Sequence, residues 1–176
     1  QVLDVAEGFD PESRKWQRYP SMPTPRCGCA AAGTGERVIV CGGQLADGTV
    51  LDKVELLHLR CEAWEQLAAL PSARSGCAAA VIAGALYIIG GLGGSGGTIP
   101  VVDRYNFEAE DWAPPLPTSL GRAGIALCVA GPRLHLLGGF DVNRQDCDNH
   151  DVLDALTGEV TTLKPLPTPR RLCCGA

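Results

Sequence analysis

Small, apolar and glycine positions follow one another in a fixed order along residues 74–117. The alternating run RSGCAAAVIAG ends in a turn and leads into the apolar run ALYIIGG. A loop of about ten residues then precedes VVDRYN and the proline-rich segment EDWAPPLP. Short apolar or alternating runs bounded by Gly and Pro are typical of β-strands, and no stretch has a convincing helical period. We therefore predict four short strands in this unit.

The same order repeats with a period of 48 residues. Four landmarks keep this step without an insertion: a tryptophan, a glycine pair, an arginine and an acid. They are Trp16, Trp64 and Trp112; Gly42-Gly43, Gly90-Gly91 and Gly138-Gly139; Arg26, Arg74, Arg122 and Arg170; Glu7, Glu55, Asp103 and Asp151. A four-stranded unit that recurs about every 50 residues is the signature of a β-propeller blade.

The glycine-rich segment 91–96, GLGGSG, matches the dinucleotide-binding pattern G-x-G-x-x-G. That pattern needs a helix directly after the glycines, but the residues that follow predict a strand. Residues 75–102 carry no charge and are long enough to span a membrane. The matching stretch of the preceding unit has Glu36 and Arg37 at its centre, which indicates a hairpin tip between two strands. We predict neither a nucleotide site nor a membrane span.

Composition narrows the classes of function. The chain has 176 residues, 22 Gly, 13 Pro and a formal net charge of −5, with no basic block. These values fit a turn-rich β-protein and argue against nucleic acid as a partner, because phosphate binding needs clustered Lys and Arg. Nine cysteines and no N-x-[ST] sequon favour a reducing compartment, the cytoplasm or the nucleus. Because the chain starts at Gln1, we expect it to be part of a longer protein.

The repeated landmarks resemble the kelch repeat. A glycine pair follows an apolar strand, an acid comes about a dozen residues later, and a Trp lies nine residues after that acid, together with an aromatic residue such as Phe9 or Tyr105. The resemblance covers the whole chain and implies that each unit forms one blade of a β-propeller. A single blade cannot bury both faces, so we expect blades to stack with the Trp between them. Val160 departs from this pattern in the fourth Trp position, as do His58 and Leu57 in the second unit.

The predicted fold class is therefore all-β, a kelch-type β-propeller segment. It would comprise a partial blade, three complete four-stranded blades and the first strand of another, at about 1–19, 26–67, 74–115, 122–163 and 170–176. A closed propeller usually has four to eight blades, so we expect an arc of a larger, six-bladed ring. We expect each glycine pair where a side chain would clash with a neighbouring strand, and each repeated Arg to tie neighbouring turns.

The cysteines could suggest a zinc site, but the segment CGC at 27–29 and the adjacent pair 173–174 lack the C-x2-4-C spacing of structural zinc. Their repeat positions instead predict small apolar core residues. These are Cys29, Cys41, Cys77 and Cys173. The more exposed thiols are predicted to be Cys61 and Cys147.

The three histidines also have structural interpretations. His135 occupies the strand position of Ile39 and Tyr87, which predicts packing, and His58 lies at a turn. His150 lies in the polar loop FDVNRQDCDNHD, which could hold a metal. No second ligand group from another unit converges on this loop, so we prefer a solvated loop. Copper oxidases and sugar mutarotases use kelch-like propellers, yet this chain lacks enough Tyr and His for such a copper site. We predict no catalytic residue, no metal and no cofactor.

In BTB-kelch ubiquitin-ligase adaptors, one propeller face takes client peptides through the residue after each glycine pair and the two residues after each repeated Arg. By this resemblance the first set is Gln44, Leu92 and Phe140. The second set is Cys27, Ser75, Ala123 and Arg171, with Gly28, Gly76, Gly124 and Leu172 beside them. We predict Phe140 to be an exposed aromatic anchor and Arg171 to pair with an acidic client group. That all of these are ordinary rim residues stays open.

The sequence thus predicts a protein–protein interaction module that recruits a client, with a further role as a ubiquitin-ligase adaptor. A cullin-type ligase would bind through regions outside this chain. One alternative is a cytoskeletal or actin-associated scaffold. Another is a propeller enzyme, which would need a metal or a perturbed acid pair in the axial channel. No nucleic-acid or membrane partner is expected.

Overall fold

The computed structural model describes residues 1–118 and 121–172, which form β-strands and connecting turns without an α-helix. The expectation of an all-β chain is confirmed. In this described part, no helix is long and apolar enough to cross a membrane. The strand predicted at 170–176 lies partly, and Cys173 and Cys174 lie wholly, outside the described residues.

A two-stranded antiparallel pair and a four-stranded sheet come first in the chain. The pair consists of β1 (Ala6–Asp10) and β2 (Lys15–Tyr19). The first sheet is antiparallel, and its strands are hydrogen-bonded in sequence order. They are β3 (Ala30–Thr34), β4 (Arg37–Cys41), β5 (Val54–His58) and β6 (Ala63–Gln66).

The second sheet has the same order, but its outermost strand is broken into two pieces. Both pieces pair with the third strand of that sheet. The break falls at residues 113–115, Ala-Pro-Pro, because proline has no N–H to donate to a ladder. The strands are β7 (Ala78–Ile82), β8 (Ala85–Ile89), β9 (Val101–Asn106), β10 (Asp111–Trp112) and β11 (Leu116–Pro117).

The third sheet is again antiparallel with its strands in sequence order. Its outer strand carries Val160 in the position where the first two sheets have Trp64 and Trp112. The strands are β12 (Ala126–Ala130), β13 (Arg133–Leu137), β14 (His150–Asp154) and β15 (Val160–Thr162).

Successive sheets pack face to face, with their first strands β3, β7 and β12 in contact. One apolar cluster lies between the first and second sheets, and another lies between the second and third. Within β8, Leu86 and Ile88 belong to the first cluster, while Tyr87 and Ile89 belong to the second. Both faces of this strand are therefore buried, which explains why its sequence is continuously apolar rather than alternating.

The repeated tryptophans connect each sheet to the one before it. The indole Nε1 of Trp64 donates to the carbonyl of Pro20 at 2.7 Å, and that of Trp112 donates to the carbonyl of Ala68 at 3.3 Å. Trp16 is 70% exposed and packs against Phe9, with ring centroids 5.4 Å apart. The expectation that Trp packs between units is confirmed for the two later tryptophans.

Candidate interaction surface

The repeated arginine and the repeated acid form one buried unit in each sheet. Arg26 pairs with Glu55 at 2.8 Å, and the same pairing joins Arg74 to Asp103. The third pair is Arg122 with Asp151. All six side chains are at most 7% exposed.

A second guanidinium nitrogen fixes the turn at the glycine pair. Nη1 of Arg26 donates to the carbonyl of Gly42 at 2.9 Å, and Nη1 of Arg74 donates to the carbonyl of Gly90 at 3.1 Å. The arginine therefore holds the entry to a sheet, its third strand and its glycine turn in one arrangement, using several of its five donors. The sequence showed both landmarks but did not predict that they pair.

Burial sets the electrostatic character of these pairs. It raises the pKa of Asp103, and Arg74 acts in the opposite direction. Burial also lowers the pKa of Arg122, while Asp151 opposes that shift. Burial therefore disfavours the charged form of both the acid and the arginine. The ion pair between them compensates for this cost and allows both charges to be buried.

Each glycine pair turns the chain so sharply that a side chain would not fit. Gly42 and Gly43 have φ of +63° and +96°. A Cβ on Gly42 would lie 2.3 Å from the carbonyl oxygen of Arg74, in the next sheet. The N–H of Gly43 donates to that same oxygen at 2.8 Å. The expected clash with a neighbouring turn is confirmed, and glycine is needed at this position.

This turn places the two predicted contact sets side by side. The residue after each glycine pair exchanges two backbone hydrogen bonds with the residue after the repeated arginine, at 2.8–3.1 Å. The three couples are Cys27 with Gln44, Ser75 with Leu92, and Ala123 with Phe140. We call the surface formed by these six residues and Arg171 the loop face.

A chain of backbone hydrogen bonds joins the sheets beneath the loop face. The N–H of Gly76 donates to the carbonyl of Gly28 at 2.7 Å, and Gly124 donates to Gly76 at 2.8 Å. Leu172 continues the series by donating to Gly124 at 2.8 Å. All four residues have positive φ, between +53° and +63°. Sequence reasoning missed this connection, although Arg-x-Gly in three consecutive units was a signal for it.

The prediction that Phe140 is an exposed aromatic is wrong. Its side chain is only 8% exposed. The guanidinium groups of Arg144 and Arg171 lie over its ring, 5.3 and 5.4 Å from the centroid. Position on a loop did not imply exposure, because two long side chains cover the ring and gain cation–π attraction from it.

The other predicted contacts differ in what they offer a partner. Ser75 and Ala123 are 6% and 0% exposed, so their side chains present almost no surface. Arg171 is exposed, and its Nε lies 3.0 Å from a carboxylate oxygen of Asp146. The half-buried members are Cys27, Gln44 and Leu92.

Two positions near Phe140 carry larger residues where the repeat has glycine. Arg144 has φ of +63° at the position of Gly48 and Gly96, whose φ values are +86° and +83°. Leu172, at the entry to the next unit, has φ of +53° at the position of Gly76 and Gly124, and its side chain is 77% exposed. Both residues adopt a backbone conformation that costs an L-amino acid energy. We call Phe140, Arg144, Arg171 and Leu172 the Phe140 cluster.

The described cysteines are all free. Cys41 is buried and Cys61 is exposed, as predicted, whereas Cys147 is half-buried. Burial raises the pKa of the Cys29 and Cys147 thiols, which disfavours the thiolate needed by a nucleophile or a metal ligand. Within residues 1–118 and 121–172, no group of three or more His, Cys, Asp or Glu side chains is arranged to hold a metal ion.

One of the three histidines, His150, departs from its predicted surroundings. His150 does not lie isolated in a solvated loop, because it begins β14 and its Nε2 is 3.0 Å from Nδ1 of His135. His58 contacts a carboxylate oxygen of Glu65 at 2.8 Å. The two later histidines are far apart in sequence, so only the strand register brings them together.

Antiparallel sheets that stack face to face and join at their inner strands define an arc of a β-propeller. The solved structure of YjhT has the same fold, with a TM-score of 0.81, 16% sequence identity, and coverage of 97% of this chain and 67% of that chain. The sequence model of the KLHDC2/KLHL20/DRC7 Kelch-repeats domain matches residues 4–175. The chain therefore belongs to this kelch-repeat family, and the resemblance seen in the sequence is confirmed.

Named relatives match only part of the chain. Kelch domain-containing protein 8B of Bos taurus and of Homo sapiens are each 41% identical to it over 58 residues. This alignment covers 33% of the chain and 16% of the relative. Kelch-repeat domains are in general protein–protein interaction propellers.

Proposed function

We propose that this chain is a client-binding module and that the client binds the Phe140 cluster, at the edge of the loop face. The observation that carries this proposal is that two non-glycine residues with positive φ lie near Phe140. The guanidinium of Arg144 lies over its ring, and Leu172 and the ring both border Gly124. Strained backbone reduces the stability of the free protein. Such features persist where a binding partner uses them.

The chemistry of the cluster suits an acidic client segment. Arg144 forms no ion pair within the described part of the chain, and Arg171 has a single carboxylate partner, Asp146. A client carboxylate placed between the two guanidinium groups would gain charge-assisted hydrogen bonds. Leu172 offers an apolar contact beside them. We therefore expect an acidic residue next to an apolar one in the client.

We further propose that the full-length protein presents this client to a cullin-type ubiquitin ligase held by other regions, in the cytoplasm or nucleus. Kelch-family membership and the free thiols support this proposal. Coverage of 67% of the YjhT chain supports assigning the segments 1–19, 26–67, 74–115, 122–163 and 170–176 to a larger, six-bladed ring. Sequencing the parent transcript would show whether a BTB or F-box segment and further kelch units flank these residues.

Selection of displayed peptides on the 176-residue chain tests the client site directly. Peptides that bind should contain an acidic residue beside an apolar one. Arg171→Ser and Arg144→Gly, which introduce the residues of Ser75 and Gly96, should each weaken binding at least about tenfold. Arg60→Ser, which removes the same charge at a distant turn, is the matched control and should leave binding unchanged.

Two results would overturn the client site. One is full binding by both cluster variants, and the other is an equal loss with Arg60→Ser, which would indicate attraction by overall charge. The ligase role is tested separately by purifying the full-length protein from cells. A cullin bound together with the client supports an adaptor, whereas recovery with actin filaments and no cullin would favour the cytoskeletal scaffold instead.

A further inference from the structure

Two cysteines meet where the first and second sheets join. Cys41 ends β4 of the first sheet, and Cys77 immediately precedes β7 of the second sheet. Cys41 belongs to the apolar cluster between these sheets, and Cys77 packs against the same cluster. At the next junction the equivalent residues are Ile89 and Ile125, which also share one cluster. The two positions therefore meet at both junctions, and at the first junction each of them carries a thiol.

Hydrogen bonds hold the two thiols together. The side chains of Cys41 and Cys77 are hydrogen-bonded to each other. The Cys41 thiol also donates to the carbonyl of Ala30 at 3.6 Å, and the backbone of Ala30 hydrogen-bonds to Cys77 as well. Beside them, the N–H of Gly76 donates to the carbonyl of Gly28 at 2.7 Å, which fixes one sheet against the other. Sulfurs in contact need only a short approach to reach the bonded distance of about 2.05 Å.

The two thiols differ in exposure and acidity. Cys41 is 0% exposed whereas Cys77 is half-buried, so a small oxidant meets Cys77 first. The hydrogen bond from Cys41 lowers the pKa of Cys77; burial opposes this shift, and the charge of Arg74 adds to it. At the equivalent position of the first sheet, burial instead raises the pKa of Cys29. Because the thiolate is the form that attacks an oxidant, Cys77 is better suited to react than Cys29.

We propose that Cys77 and Cys41 form an oxidation site at which a hydroperoxide links the first two sheets by a disulfide. The Cys77 thiolate attacks the O–O bond and becomes a sulfenic acid, and the departing oxygen takes up the thiol proton to leave as an alcohol. The sulfur of Cys41 then attacks that of Cys77, and its proton leaves with the hydroxyl as water. Two thiols and one hydroperoxide give one disulfide, one alcohol and one water, so the sulfurs lose the two electrons that the peroxide gains.

The disulfide turns a non-covalent junction into a covalent one. It encloses residues 41–77 in a loop and so restricts the unfolded chain, which should raise the urea concentration at the midpoint of unfolding. Cys77 lies two residues after Ser75, so the bond fixes the first two sheets directly beneath the loop face. Thiols such as glutathione reverse the bond by exchange. The site therefore makes the rigidity of this junction depend on the balance between peroxide and thiol.

Peptide mapping of the 176-residue chain tests the site with hydrogen peroxide as the oxidant. After the remaining thiols are alkylated, trypsin releases Cys41 in peptide 38–53 and Cys77 in peptide 75–104, each without a second cysteine. We expect these two peptides to be joined with the loss of two hydrogen atoms, and dithiothreitol to separate them. Joining of 75–104 to 27–37, the peptide of Cys27 and Cys29, would overturn the proposal. Overoxidation of Cys77 without any linkage would also overturn it.

Two alanine variants test the order of reaction. In Cys77→Ala the buried Cys41 should be oxidised at least about tenfold more slowly, and peroxide should no longer raise the urea midpoint. Cys29→Ala, the same change at the equivalent position of the first sheet, is the matched control and should keep both the linkage and the raised midpoint. Undiminished oxidation of Cys41 in Cys77→Ala, or an equal effect of both variants, would contradict Cys77 as the attacking thiol.

Discussion

The buried inner part of the three sheets repeats the same residues and contacts, whereas the loop face above it differs from one sheet to the next. Beneath the surface, an arginine–acid pair, a glycine pair and a backbone bond to the next sheet recur in almost identical form. On the loop face the first two sheets carry small or half-buried residues, whereas Phe140 of the third sheet is covered by Arg144 and Arg171. The repeat therefore fixes the scaffold and leaves one unit free to acquire a distinct surface. If this division is right, inner changes should unfold the protein, and changes of the exposed cluster residues should alter binding.

The largest effect is expected from the buried ion pairs. Arg74→Met should lower the free energy of unfolding by about 3–5 kcal/mol, because Asp103 is left buried without its partner. Urea denaturation measures the loss. The double variant Arg74→Met/Asp103→Leu should recover part of it, because the uncompensated charge is then removed as well.

The exposed pair Arg18–Glu7 is the control for this experiment. Its side chains are 74% and 46% exposed, so Arg18→Met should cost less than about 1 kcal/mol. Equal losses for Arg74→Met and Arg18→Met would contradict a special role for the repeated pair.

Phe140 lies at the boundary between the two regions, and its substitution should have the next largest effect. Phe140→Ala should destabilise the protein by about 3 kcal/mol, since it empties a buried ring site and removes two cation–π contacts. Phe140→Leu, which takes the residue of Leu92, should cost under about 1.5 kcal/mol. Thermal melts of both variants measure the difference. A small shift with Ala would restore the original interpretation of Phe140 as an exposed contact.

The smallest effect on stability, but a clear effect on binding, is expected for Leu172→Gly. Relief of left-handed strain of roughly 1–2 kcal/mol is opposed by the extra chain entropy of glycine, roughly 0.5–1 kcal/mol. Stability should therefore stay within about 1 kcal/mol of the original. Affinity for the selected peptides should fall at least about fivefold. Unchanged affinity would remove Leu172 from the client site, and a large loss of stability would assign it to the scaffold.

Periodicity was sufficient to predict the strands and their order. The 48-residue step located the hairpins, and the uncharged stretch 75–102 was correctly divided into separate strands, with β7 and β8 as a hairpin. Residues that repeat report on what the units share, so the glycine pairs, Trp64 and Trp112 were interpreted correctly.

Features present in one unit only could not be predicted in this way. The burial of Phe140 depends on where two flexible arginine side chains lie, and a strand pattern contains no such information. The contact between His135 and His150 depends on a diagonal register across two strands. The exposure of Phe140 and the surroundings of His150 were both predicted from the position of the single residue in its repeat. In the structure, each depends on contacts with residues elsewhere in the chain.

The bonds that join Gly28, Gly76, Gly124 and Leu172 are made entirely by main-chain atoms. These hydrogen bonds do not depend on which side chain is present, except that the residue must adopt a positive φ. One unit could therefore be exchanged for another, duplicated or altered at its loops without redesigning the connection to its neighbours. The same main-chain hydrogen bonds can join units of different sequence. A repeat protein can therefore change the residues of its binding loops while the packing of its sheets stays the same.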